Sequence, residues 1–350
     1  VGDALGADVE FLSTAAIRER FGPAGVTGYP GGHGRITDDT QMTLFTAEGL
    51  IRAAHADRRS ERSGEPGPTA AEVIWSSYRR WLLTQEHHYD ERAVAGTGGR
   101  ATGWLIGRRE LWAPRAPGLT CVGALRSGRM GRVLDRINDS KGCGGVMRVA
   151  PVGLVATEPF RVAVEAAAIT HTHPTGYLAA GAFATVVGAL SDGADLLDAV
   201  GSALDELARW SDHEETTTAL RSALDLAARH PVPDPELVET LGGGWVAEEA
   251  LAIALYCALC ATNVRDGLLW AVNHSGDSDS TGSLAGNLLG LVHGLAGVPV
   301  EWVEGLVELE VVLQVADDLA DAFHGDGTDD GLTDGDLADG DLAVRYPAGA

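Results

Sequence analysis

The sequence has 350 residues, 45% of them hydrophobic, and a formal net charge of −24. That length is enough to bury a large core in one domain or two. The charge excludes a general nucleic-acid surface, which needs a basic face, and no charge-free apolar run of about 20 residues predicts a membrane span.

Lys141 is the only lysine, so nearly all positive charge is arginine. Residues 317–342 hold ten aspartates and no Lys or Arg, leaving about −14 for the rest of the chain. Four cysteines give no disulfide framework and suit a reducing compartment, so a cytoplasmic protein is expected. The chain opens without Met and directly inside a motif, as if an N-terminal segment were missing.

In chain order, Val1–Glu10 reads as the end of a small-residue helix, with Asp3 and Glu10 two turns apart on one face. Either they form a solvated acidic stripe, or a carboxylate here lines a cavity. Turn residues fill 22–34, and Thr37-Asp38-Asp39-Thr40-Gln41 then opens a run with Met42, Leu44, Phe45, Leu50 and Ile51 at helical spacing. The polar, breaker-rich stretch 55–69 predicts a surface loop. Helical runs are expected near 70–84 and, after Gly96–Gly99, near 101–112. His87, His88, Tyr89 and Asp90 read as surface.

Asn138 to Arg148 carries Gly142, Gly144 and Gly145, whose backbone can approach a ligand closely. Successive N–H groups there can cradle phosphate, although a tight helix-entry loop explains the glycines equally well. Lys141 precedes the glycines, so this is no P-loop. His171 and His173, around the break at Pro174, predict a polar lining or substrate contact rather than a zinc half-site. Residues 160–230 and 247–262 are alanine- and leucine-rich with helical periodicity. Cys257-x-x-Cys260 falls in an apolar helical run and reads as core.

Asn273 to Gly290 contains Asp277-Ser278-Asp279-Ser280-Thr281, then small residues at 282, 286, 290 and 294. Alone it is a helix N-cap or a metal site in equal measure. Paired with Thr37–Gln41 it offers a second helix start bearing carboxylates and hydroxyls. Two such starts facing one cleft make a cage of hard oxygen ligands, which suits Mg²⁺ or Mn²⁺. The four-residue glycine spacing predicts close packing against another helix. No period-2 alternation is sustained, so the fold class is all-α: ten or more helices in one domain over 1–324, with 325–350 an acidic, disordered tail.

Together these stretches resemble the ADP-ribosylglycohydrolase family. The motifs are Gly2-Asp-Ala-Leu-Gly6 with Glu10, Thr37–Thr40, Asn138-x-Ser140 with Gly142–Arg148, Thr170-His171, and Gly276–Ser280. The resemblance covers Val1 to about Gly297 and implies an orthogonal all-α bundle. It implies two Mg²⁺ (or Mn²⁺) ions held by Thr37, Asp38 and Asp39 on one side and Asp277, Asp279 and Ser280 on the other. Thr281 is a second candidate for the hydroxyl ligand. It assigns proton work to Glu10 or to an aspartate such as Asp39, and substrate contacts to Ser140, Gly142, Cys143, Gly144, Gly145, Val146 and His171. The implied reaction hydrolyses the bond at C1 of the distal ribose, freeing ADP-ribose from a modified protein or small ADP-ribosyl compound. A monomer is expected. The rival readings are an inactive ADP-ribose-binding or structural member and a metal-dependent nucleotide phosphohydrolase.

Overall fold

The computed structural model describes residues 1–89, 102–324 and 342–347, and no β-strand forms among them. Helix α1 (Gly2–Gly6) is followed by α2 (Thr14–Phe21). Thr37 opens the long α3 (Asp38–Ser63), its hydroxyl accepting from the Asp39 amide, and Gly64 closes it at φ 72°. The expected loop over 55–69 is thus half helix, because α3 runs on to Ser63, and His55 and Arg58 on it reach the carbonyls of Tyr346 and Ala322. A capping box of Thr69 and Glu72 starts α4 (Ala70–Glu86). The helical run predicted for 101–112 is only two 3₁₀ turns, Leu105–Gly107 and Arg109–Leu111, where Gly103 at φ 124° and Gly107 deny the chain a longer ladder. Gly96–Gly99 and Asp90 lie outside the described residues.

Next come α5 (Leu119–Arg126), α6 (Ala150–Val155), α7 (Pro159–Ala168), α8 (Pro174–Ser191), α9 (Leu196–Leu207) and α10 (Glu214–Arg229). The chain continues through α11 (Pro235–Val238), α12 (Ala247–Cys260), α13 (Val264–Val272), α14 (Ser278–His293), α15 (Val300–Glu304) and α16 (Leu309–His324). Helices α8 and α12 are apolar on nearly every face, so both lie inside the bundle. Around α8 pack α6, α7, α9 and α12, while α3 pairs with α4 and α16. Cys257 is wholly buried in α12, as its apolar run predicts. No helix among the described residues is long and apolar enough to cross a membrane.

The contact that sets the site is α1 against α14. A Cβ on Gly2 would fall 1.9 Å from the Gly282 carbonyl oxygen, and one on Gly6 2.2 Å from that of Ser278. Only glycine lets these two backbones touch. The expected partner for the glycine stripe is therefore α1, but only Gly282 and Gly286 face it. Gly290 and Gly294 have open space where a Cβ would go.

Two sequence expectations fail here. Helix α1 ends at Gly6, so Asp3 and Glu10 do not share a helix face, and Glu10 sits on the turn that follows. The C-terminal tail is not wholly loose either. Residues 342–345 form a helical turn, and Leu342 and Tyr346 are buried in the core. The Tyr346 hydroxyl donates to Asp318 Oδ2 at 2.7 Å, and Arg52 donates to the Pro347 carbonyl at 2.9 Å. Asp318 and the Glu48–Arg52 ion pair are buried polar groups that need such partners, and this is why the segment docks.

Candidate active site

Both carboxylate stretches open helices, and both helices point into one cleft of about 460 Å³. Asp3, buried beside Gly2, explains how α1 orients the first of them. Its carboxylate accepts from the Thr37 amide at 3.0 Å, from the Thr40 amide at 3.2 Å and from the Thr40 hydroxyl. Asp3 is thus spent on holding the start of α3 and does not line the cleft.

Asp38 and Asp39 then project from the first turn of α3. Asp38 Oδ2 accepts from the Gly118 amide at 3.2 Å, which folds the loop Ala116–Leu119 over one side of the cleft. Asp39 is buried, and its Oδ1 has no hydrogen-bond partner. From the opposite side Asp277 caps α14, its Oδ1 accepting from the Ser280 amide, while Asp279 follows in the first turn. Glu10, Asp277 and Asp279 each bring an oxygen within 4.8 Å of the others.

The electrostatics of this cluster are unfavourable without a cation. Burial first, and then neighbouring carboxylates, hold Asp38, Asp39 and Asp279 well above the usual carboxylate range. Burial and the charges of Asp277 and Asp3 raise Glu10 to about 8. Glu10 also brings an oxygen close to Asp279. No Lys or Arg is among the described residues that line the cleft. A set of anionic oxygens with one buried orphan fits divalent cations.

Ser280 and Thr281 part company in the structure. Ser280 lines the cleft. Thr281 turns inward, donating to the Ala271 carbonyl at 2.7 Å and meeting His274 Nε2 at 3.0 Å. Thr37 lies behind the cleft as the cap of α3.

Of the glycine loop, Gly142, Cys143 and Gly144 reach the cleft, as does His171. Cys143 Sγ donates to Asp277 Oδ2 at 2.8 Å. Gly145 is backed by Ala167, Val146 is wholly buried, and Ser140 bonds Thr120 and the Gly142 amide from behind the wall. Gly144 is small because Cys121 Sγ and His171 press on it, 2.7 and 3.0 Å from where a Cβ would go. Lys141 points away, paired with Glu215 and Glu248. The two histidines diverge: His171 enters the cleft, whereas His173 caps α8 through the Thr175 amide.

Sequence reasoning did not find the aromatic rim. Phe11 at φ 67° and 68% exposed stacks on Trp245 with centroids 5.3 Å apart, and both line the cleft. Trp245 is anchored where its carbonyl accepts from the Cys143 amide, and the Gly243 carbonyl accepts from the Asp277 amide. The Gly242–Gly244 run just before Trp245 was the available signal: Gly244 holds φ 77°, a conformation that marks a constrained turn.

The chain is thus an all-α bundle whose two acidic helix starts share one cleft. The family pattern described as ADP-ribosylglycohydrolase matches residues 1–329, and the chain belongs to that family. It is 28% identical over 330 residues to an uncharacterized protein of Archaeoglobus fulgidus, covering 91% of this chain and 92% of the relative. It is 26% identical over 334 residues to the ADP-ribosyl-[dinitrogen reductase] glycohydrolase of Rhodospirillum rubrum, covering 90% of each. A solved structure titled ADP-ribosylglycohydrolase-related protein complex superposes with a TM-score of 0.61 at 23% identity, over 93% of both chains, and shows the same fold.

Proposed function

We propose that this chain hydrolyses the glycosidic bond between C1 of the distal ribose and its acceptor, releasing ADP-ribose from a modified protein or small compound. The observation that carries this reading is the convergence of Glu10, Asp277 and Asp279 on the cleft into which Asp39 turns a buried, unpartnered oxygen. Two Mg²⁺ or Mn²⁺ ions held by Asp38, Asp39, Asp277, Asp279 and Ser280, with Thr37 behind them, would polarise substrate oxygens and acidify a water.

The chain's own residues do the rest. Glu10, on the cleft side of its turn, can deliver or collect a proton at the bond being broken. Asp39 is the second carboxylate placed to take a proton from water. Gly142–Gly144 and His171 offer backbone and imidazole contacts to phosphate or hydroxyl oxygens. The Ala116–Leu119 loop and the Phe11–Trp245 pair wall the cleft around the reacting bond.

The test is to incubate the full chain with arginine-, serine- and base-linked ADP-ribosyl substrates, with Mg²⁺ or Mn²⁺ and with a chelator. Cation-dependent release of ADP-ribose with its pyrophosphate intact is expected. Release of AMP or phosphate would replace this reading with phosphohydrolysis, and binding without turnover would leave an inactive binder.

A further inference from the structure

Behind the cleft wall a buried relay ends on His171. Arg148 is wholly buried, and its guanidinium lies 4.2 Å from the Tyr78 ring centre. It donates to the Ala166 carbonyl at 3.2 Å and to the Thr170 hydroxyl at 2.8 Å. The Thr170 hydroxyl lies 2.8 Å from His171 Nδ1. An arginine has donors only, so Thr170 Oγ1 must accept from it, which leaves the hydroxyl proton to go elsewhere.

Two acceptors compete for that proton, His171 Nδ1 and the sulfur of Cys121. An imidazole nitrogen is a far better acceptor than a thiol sulfur, which also receives the Arg148 Nη1 donor at 3.4 Å. The proton therefore goes to Nδ1, and Nδ1 carries none of its own. Burial and the nearby charge of Arg148 hold His171 down to about 3, so the ring does not take up a second proton near neutrality. A neutral ring without a proton on Nδ1 has one on Nε2.

Nε2 is the atom turned toward the glycine loop. It lies 3.4 and 3.3 Å from where a Cβ would stand on Gly142 and Gly144. We infer that Arg148 and Thr170 are positioning residues that fix His171 in its Nε2–H form and aim one N–H donor at an oxygen of the ligand in the cleft. That oxygen belongs to a pyrophosphate or ribose hydroxyl if the ADP-ribosyl reading holds, and this part alone rests on that reading. The device differs from a cationic anion clamp: the donor carries no charge and its presence does not vary across neutral pH.

The experiment uses the full chain with ¹⁵N-labelled histidine, together with Thr170→Val and Thr170→Ser. Long-range ¹H–¹⁵N spectra should show His171 Nδ1 as an unprotonated nitrogen and Nε2 as a protonated one, unchanged between pH 6 and pH 8. Thr170→Val, which removes the hydroxyl at constant shape, should give a mixture of ring forms and weaken ADP-ribose binding by roughly three- to tenfold, the worth of one hydrogen bond. Thr170→Ser, which restores the hydroxyl, should restore both. A wild-type ring protonated on Nδ1, or a single Nε2–H form retained in Thr170→Val, overturns the inference. An Nε2–H ring in a chain that binds no ADP-ribose upholds the relay and overturns the functional reading instead.

Discussion

Cys143 Sγ lies 2.8 Å from Asp277 Oδ2, placing one sulfur beside an otherwise all-oxygen set. Burial keeps that thiol protonated in the free chain, where it is a donor. A neighbour of this kind favours softer divalent ions over Mg²⁺. Cys143→Ser keeps a donor and removes the sulfur, so the Mn²⁺ to Mg²⁺ affinity ratio should fall by about threefold or more. Isothermal titration with each ion checks this, and an unchanged ratio means the sulfur does not touch the bound ion.

Asp38→Ala and Asp279→Ala each remove an anionic oxygen from opposite helix starts. Both should lower cation stoichiometry and cut ADP-ribose release by at least about 10³-fold. Stoichiometry matching wild type in both variants would dismiss the site. Asp279→Asn should at the same time make the cation-free chain more stable at pH 8, because it relieves the burial and like-charge crowding of that carboxylate. Chemical denaturation in the presence of a chelator measures that gain.

The sign of the pH dependence follows from the raised carboxyl groups. A carboxyl group held up in the folded state binds a proton there that the unfolded chain has already lost. Stability of the cation-free chain therefore falls as pH rises. For Glu10 the window runs from its ordinary 4.5 to about 8, with Asp38, Asp39 and Asp279 acting in the same direction. Melting scans with chelator should show decreasing Tm from pH 5 to pH 8, and added Mn²⁺ should remove most of the slope. A flat chelated profile would mean the cluster is not strained.

Glu10→Gln separates chemistry from binding. The amide keeps size and hydrogen bonding and removes the proton site, so single-turnover release should fall by roughly 10²–10⁴-fold. ADP-ribose affinity should move far less, since Gly142–Gly144 and His171 stand on another wall. Equal losses in both would make Glu10 a binding group.

Truncation after His324 should destabilise the fold, against the expectation that 325–350 is a disordered tail. It strips Asp318 and Arg52 of buried partners and uncovers the pocket of Tyr346. Tyr346→Ala should cost about 3 kcal/mol. Equilibrium denaturation of both variants is the check, and wild-type midpoints would show that the docked turn contributes nothing.

The sequence made much of this legible, for local reasons. Caps, carboxylates at helix starts and the glycine stripe are short-range signals, so α3, α14 and their facing aspartates could be read directly. What lay hidden depends on tertiary partners. Asp3 looks like Glu10 on paper, yet only the fold shows one spent on the Thr37 and Thr40 amides and the other turned into the cleft. Phe11 and Trp245 are far apart in sequence and meet only through the turn after α1. The end of the chain, read from its aspartates, hides two residues that bury, Leu342 and Tyr346, and composition averages such pairs away.

Thr14 and Ser275 join by a hydrogen bond across 261 positions, beside the glycine contact between α1 and α14. The first and last motifs thus meet only when nearly all the intervening chain has been made and folded. Closing so long a loop costs entropy that no local structure repays in advance. During synthesis the early helices can assemble around α3 and α8, but the cleft stays half-built until α14 arrives. Cation binding at the cleft would therefore report a completed molecule, and a nascent or C-terminally shortened chain would carry Asp38 and Asp39 without the partners that make them a site.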